Sequence, residues 1–234
     1  CAGDPPDGGL SPLAVERHQR WGTGREAVAV RRQEDEKACR VLGAEPRHFK
    51  IPDCIYRRVE MPWWYPISYG WEEDEGKHDW IIQNNDQLFG PVLNEELPLV
   101  DKLAFMLGQI IPEDARIVSP LTVGGHIDHH LVRDAVGFLK GYRIWYYADF
   151  PYVILDKVDM NAQLPGFEDY EPGWLAISPQ GLAAWQSAAA AYHSQLSTFW
   201  KDETELNAQL EGYWQGSQRA GCLWKSDWLE AAII

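Results

Sequence analysis

The stretch from residue 94 to residue 147 narrows the choice of fold more than any other part of this chain. Over residues 94–110, Leu99, Leu103, Met106 and Ile110 fall on one side at helical spacing, with Pro98 in the first turn, which predicts an amphipathic helix. Residues 115–120 then read as a short strand, residues 131–139 as a second helix and residues 142–147 as an apolar strand. Helix, strand, helix, strand in that order predicts an α/β fold, a doubly wound and mostly parallel sheet with helices on both faces.

The rest of the chain is compatible with this frame. Its 234 residues, 45% apolar and 24% charged, predict one globular domain over residues 1–234, and no internal repeat or low-complexity linker divides it. Residues 1–24, rich in Gly, Pro and Asp, read as a long loop. Val28, Cys39 and Leu42 at helical spacing before Gly43 predict a helix over residues 25–42, and residues 48–56 read as a short buried strand entering a loop. Residues 61–80 hold Trp63, Trp64, Tyr65, Tyr69, Trp71 and Trp80 with no clean period, which predicts an aromatic surface loop. Two further helices are expected over residues 181–199 and 203–214.

Charge and cysteine usage exclude several classes of function. Thirty-five acidic against twenty-one basic side chains give a formal charge of -14, which repels a phosphate backbone, so no nucleic-acid partner is expected. The longest apolar stretch, residues 97–111, is broken by Asp101 and Lys102 and is too short for a membrane span. Cys1, Cys39, Cys54 and Cys222 form no C-x-x-C pair, which suggests neither a disulfide framework nor a zinc knuckle and fits a cytoplasmic setting. Cys1 heads the chain without a signal-like segment after it. That start is expected of a fragment cut inside a domain, with a lipoprotein acylated at Cys1 as the alternative. Oligomeric state stays open, a homo-oligomer included.

The most chemically loaded string is Gly124-Gly125-His126-Ile127-Asp128-His129-His130, between a predicted strand and a predicted helix. In an open α/β sheet that is the crevice where ligands bind. Imidazoles are good zinc ligands, a nearby carboxylate can hold a ring in one tautomer, and glycines allow close approach. The competing reading is a polar helix start capped by Asp128 with exposed histidines, and the bare string does not separate the two. A catalytic zinc needs three protein ligands, and His18, His48, His78 and His193 are too isolated to complete a set.

Gly125-His126-Ile127-Asp128-His129 resembles the second motif, G-H-x-D-H, of the PIG-L/LmbE-like zinc-dependent N-deacetylases. The resemblance extends to Ala2-Gly3-Asp4-Pro5-Pro6, Ser11-Pro12-Leu13-Ala14, Arg31-Arg32-Gln33-Glu34, Ile51-Pro52-Asp53 and Asp149-Phe150-Pro151-Tyr152. It implies a Rossmann-like sheet carrying Zn2+ at its carboxyl edge, and hydrolysis of the acetamide of an amino sugar or N-acetylglucosamine conjugate. It further implies His129 as a zinc ligand, His126 as the group that stabilises the developing charge and protonates the leaving amine, and Asp128 as its orienting partner. Arg31 matches a substrate-contacting arginine, and Asp53 is a candidate for a sugar hydroxyl. The family's first motif, His-x-Asp-Asp, has no counterpart in these residues. The resemblance places Cys1 near the end of the second strand, so the remaining zinc ligands and the general base are expected upstream of it.

Two other readings compete. The 12 Trp residues and the aromatic stretch are compatible with a carbohydrate-binding protein without catalysis. Taken as a complete product, the chain would instead be an inactive truncated deacetylase.

Overall fold

A computed structural model describes residues 2–59, 80–155, 170–216 and 220–226, the side chains of 170–175 and 220–226 excepted. The aromatic stretch apart from Trp80, and the acidic run Glu72-Glu73-Asp74-Glu75, lie outside the described residues. The chain forms two compact units, Cys1–Leu88 with Ser187–Thr198 and Phe89–Gln186 with Phe199–Ile234.

In the first unit, helix α1 (Pro12–Trp21) occupies the stretch expected to be loop. Its apolar pattern is thin, with Leu13, Ala14 and His18 as its buried residues, and its caps set its limits. Ser11 Oγ accepts from the Ala14 backbone N–H at 3.0 Å and donates to the Ile55 carbonyl at 3.2 Å. Pro12, at the first helical position, has no N–H to leave unsatisfied. Gly22, at φ 63°, closes the far end.

Helix α2 (Ala27–Leu42) follows and ends at Gly43 as the sequence predicts. Its Ala38 packs on Ala188, Ala191 and Tyr192. The expected strand near residue 51 contracts to a parallel bridge of Gly3 with Pro52, followed by a single turn at Cys54–Tyr56. Only glycine fits at position 3, because a Cβ there would lie 2.8 Å from the backbone of Lys50, Ile51 and Pro52.

The second unit carries the sheet. Helix α3 (Leu97–Gly108), strand β1 (Arg116–Pro120), helix α4 (Ile127–Gly137) and strand β2 (Arg143–Tyr147) realise the predicted alternation. Beyond them lie β3 (Tyr170–Ala176), helices α5 (Pro179–Ala190), α6 (His193–Leu196) and α7 (Glu203–Gly216), and β4 (Ala220–Ser226); α6 belongs to the first unit. The sheet order is β1-β2-β4-β3. β1 and β2 pair in parallel from Arg116 opposite Arg143 to Pro120 opposite Tyr147, whereas β4 runs antiparallel to both β2 and β3. The sheet is therefore mixed, a parallel pair extended by an antiparallel ribbon.

One core holds the β1–α4–β2 portion together. Ile117, Leu121, Val123, Val136, Leu139, Ile144, Tyr146 and Ala148 are buried against one another, with Leu107 of α3 and Tyr152 packed onto them. Among the described residues no helix is long and apolar enough to cross a membrane.

Candidate active site

Because β1 and β2 are parallel and in register, their carboxyl ends emerge at the same edge of the sheet. The ladder continues past them. The Leu121 N–H donates to the Tyr147 carbonyl at 2.9 Å, and the Val123 N–H donates to Asp149 Oδ2 at 3.0 Å. A carboxylate thus takes the place of the next backbone acceptor.

From there the chain turns sharply into α4. Thr122, Gly124 and Gly125 all have positive φ, and at Gly124 (φ +86°) a Cβ would lie 2.4 Å from Cγ of Tyr152. The turn needs left-handed backbone and the space of a missing side chain together, which glycine supplies. It delivers His126 to the N-cap of α4, where Nδ1 accepts from the Asp128 N–H at 3.2 Å. One orphan amide of the helix start is thereby satisfied by a ring nitrogen.

His129, one turn further, lies beside Asp149. Nδ1 of His129 and Oδ1 of Asp149 are 2.6 Å apart. The carboxylate is 1% exposed and the imidazole 35%. The distance is that of a charge-assisted contact, but the angles are not those of a hydrogen bond, and neither atom has a hydrogen-bond partner among the described residues. A small ring rotation aligns the pair, and it is favoured because an unpaired buried carboxylate oxygen is costly. The His126 and His129 rings are 5.3 Å apart. Phe89 meets His126 edge-on at 6.0 Å, and Tyr152 meets His129 edge-on at 6.2 Å.

His130 plays a different part. It is buried, its Nδ1 lies 3.2 Å from a guanidinium nitrogen of Arg133, and Arg133 also donates to Thr122 Oγ1 at 2.9 Å. A guanidinium can only donate, so the ring accepts and stays neutral. Burial first, and then Arg133, hold its pKa down at about 4. Arg133, held between His130 and Thr122, ties α4 to the turn.

An aromatic wall runs on from the site within the same unit. Tyr152 meets Phe199 at 5.5 Å, Phe199 meets Trp200 at 5.4 Å, and Trp200 stacks on Phe150 at 6.0 Å with 15° between the planes.

The two other residues singled out in the sequence lie together in the first unit. Arg31 on α2 donates to Asp53 Oδ2 at 2.8 Å, and its guanidinium sits over the Trp21 ring at 5.2 Å. Asp53 also caps the turn at Cys54–Tyr56 through the Ile55 N–H at 3.3 Å. A cavity of about 310 Å³ is lined by both of them and by Arg32, Asp35, Arg47 and His48. Glu34, one helical turn from Arg31, is buried and accepts from the Ser194 N–H at 2.8 Å and its hydroxyl at 2.7 Å. Cys54 is buried and Cys39 partly so, and burial pushes the Cys39 thiol up, as suits packing residues.

No protein-family model and no curated protein matches this chain. Solved structures do. A teicoplanin deacetylase, determined in a zinc-inhibited form, is 22% identical, with 97% of this chain and 85% of that one covered at a TM-score of 0.68. The deacetylase–teicoplanin complex is 20% identical over 96% and 83%, at a TM-score of 0.69. The A40926 pseudoaglycone deacetylase is 22% identical over 96% and 81%, at 0.64. The chain shares their fold. The α/β architecture expected from the order of elements is thus met both by the structure and by these neighbours.

Asp149 is the residue that the motif reading passed over as a site residue, although the sequence carried a signal for it. The rule that drew notice to the Gly124 turn, a polar residue just beyond the carboxyl end of a strand, applies equally to an aspartate two residues past β2.

Proposed function

We propose that this protein is a zinc-dependent hydrolase that removes the N-acetyl group from an amino sugar or a glycoconjugate. The observation that carries this reading is the pair of imidazoles at the N-terminus of α4, one capping the helix and one set against a buried carboxylate, at the edge where β1 and β2 end. The fold shared with deacetylases of glycopeptide antibiotics supports it and suggests a sugar attached to a bulky aglycone as substrate.

His129 fits one corner of a zinc site. With Nδ1 facing Asp149, its remaining ligand atom is Nε2, and a carboxylate behind a metal-binding imidazole is the usual support for such a ligand. A bound zinc would supply Lewis-acid polarisation of the acetamide carbonyl and a water acidic enough to ionise near neutral pH.

His126 is the group that meets the charge developing on the acetamide oxygen. Because Nδ1 accepts from the Asp128 N–H, the neutral ring carries its proton on Nε2, and that N–H is a donor for an oxyanion. Passing a proton to the leaving amine requires the doubly protonated ring, in which Nδ1 is a donor. The Asp128 amide bond must then be exchanged for an acceptor, and the Asp128 carboxylate is the residue assigned to that role. The proton-accepting carboxylate that activates water belongs to the His-x-Asp-Asp motif of the resemblance, which these residues do not contain.

Arg31 and Asp53 are assigned to the substrate. Their mutual ion pair keeps the planar guanidinium oriented, at the cost of one carboxylate oxygen that a sugar hydroxyl would otherwise use.

The deciding experiment is acetate release from an N-acetylglucosaminylated glycopeptide and from free N-acetylglucosamine, with metal content measured on the same preparation. Acetate release that stops on chelation and returns with Zn2+ supports the assignment. A metal-free protein that binds the glycopeptide without hydrolysing it would replace the assignment with a carbohydrate-binding one.

A further inference from the structure

We propose that Asp149 is a positioning residue for His129, fixing that ring as the Nδ1–H tautomer so that Nε2 is left with its lone pair for the metal. The proposal rests on the reading of His129 as a zinc ligand, and it assigns a role to a residue outside the G-H-x-D-H motif.

The geometry carries it. Asp149 is buried at this edge of the second unit, and its two oxygens are divided between two tasks. Oδ2 accepts the Val123 N–H at 3.0 Å, which ties the carboxylate to the turn that carries the histidines. Oδ1 lies 2.6 Å from Nδ1 of His129 and has no other described partner. A carboxylate oxygen that close to a ring nitrogen calls for a proton between them, and the Nδ1–H tautomer of the neutral ring supplies it once the ring rotates slightly into line. The opposite tautomer would set two lone pairs against each other in a site shielded from water.

The remaining neighbours keep the pair in place. The Val153 N–H donates to the Asp149 backbone carbonyl at 3.0 Å, while Tyr152 covers the His129 ring edge-on at 6.2 Å and fills the space left by the missing side chain of Gly124. Asp149 therefore has little freedom to turn away, and the orientation of the ring is set before any ligand arrives. His126 carries the opposite arrangement, since its Nδ1 accepts from an amide. The two imidazoles of one motif are thus assigned opposite tautomers by their surroundings, a lone-pair Nε2 on His129 and a protonated Nε2 on His126. One suits a ligand and the other a hydrogen-bond donor.

The test is Asp149→Asn in the full chain. Asparagine keeps the shape and can still accept from Val123, but the amide it turns toward His129 is a donor, which favours the Nε2–H tautomer and blocks the ligand atom. Long-range 15N–1H correlation spectra of the metal-free protein, recorded where the rings are neutral, should show His129 as Nδ1–H in the wild type and as Nε2–H in the variant. Zn2+ affinity should fall about 10- to 100-fold in the variant. A wild-type His129 found as Nε2–H overturns the proposal, and that measurement needs no folded variant. So does an Asp149→Asn protein with wild-type Zn2+ affinity. Loss of Zn2+ binding in His129→Ala with no effect of Asp149→Asn leaves the metal reading intact and removes this one. Unchanged Zn2+ affinity in His129→Ala removes the metal reading itself, while the tautomer spectrum still decides the pairing.

Discussion

The backbone N–H of Asp128 donates to Nδ1 of His126 at 3.2 Å, so one imidazole both caps a helix and carries the proposed chemistry. The two jobs can be separated. His126→Ala should lose about 1 kcal/mol through the missing cap and about 10²-fold or more in turnover through the missing donor. His126→Asn should restore the cap, since asparagine is a favoured N-cap residue, and leave turnover low. Chemical denaturation together with acetate release checks both, and recovery of activity in the Asn variant would count against an imidazole role.

Gly124 is where the turn is least tolerant. Gly124→Ala sets a Cβ against the Tyr152 ring and puts a side chain at φ +86°. Overpacking and positive φ together should cost on the order of 3 kcal/mol. Tyr152 should also be displaced from His129, so the variant should lose activity even at temperatures where it remains folded. Urea melts and activity at low temperature test this.

Arg31→Ala should raise KM far more than it lowers kcat if the guanidinium grips substrate, whereas a purely structural ion pair predicts a lower melting temperature with an unchanged KM. Arg31→Lys should recover stability more than affinity, because an ammonium cannot reproduce the planar contact with Asp53 and the Trp21 face. Steady-state kinetics and thermal melts on both variants distinguish these outcomes.

His18 should make folding sensitive to acid. It is buried, its Nε2 lies 2.5 Å from the Tyr56 hydroxyl, and burial lowers its pKa below the ordinary value of 6.5. The unfolded chain then binds this proton at a pH where the folded chain does not. Stability should accordingly be constant above the ordinary histidine range and fall as pH drops through it toward the depressed folded value. His18→Gln should make that part of the curve shallower without flattening it, because His130, held down at about 4, adds a dependence of the same sign, as measured by urea melts from neutral pH downward.

Ser11→Ala removes a cap from α1 and a buried hydrogen bond to the Ile55 carbonyl together. A loss of about 1–2 kcal/mol is expected in urea melts.

The α/β alternation from α3 to β2 and the end of α2 at Gly43 were legible because they are local: an apolar period, a proline in a first turn and a glycine stop need no knowledge of distant residues. The motif at residues 125–129 was legible for the same reason, as five adjacent residues at one helix start. Helix α1 was missed because its signal lies in its caps, Ser11-Pro12 and Gly22, and not in an apolar stripe. The ribbon of β3 and β4 was missed because each strand exists through pairing with a partner about fifty residues away, which no local pattern records.

The sequence by itself settled which residue types are present and the alternation of helix and strand from α3 to β2. Only the tertiary structure decided that Asp149 stands behind His129, that Arg133 reaches back to Thr122, and that Arg31 is paired with Asp53. Hydrogen bonding and burial act over a few ångströms in space regardless of separation along the chain. The parallel register of β1 and β2 turns a distance of twenty residues into a contact of 2.6 Å.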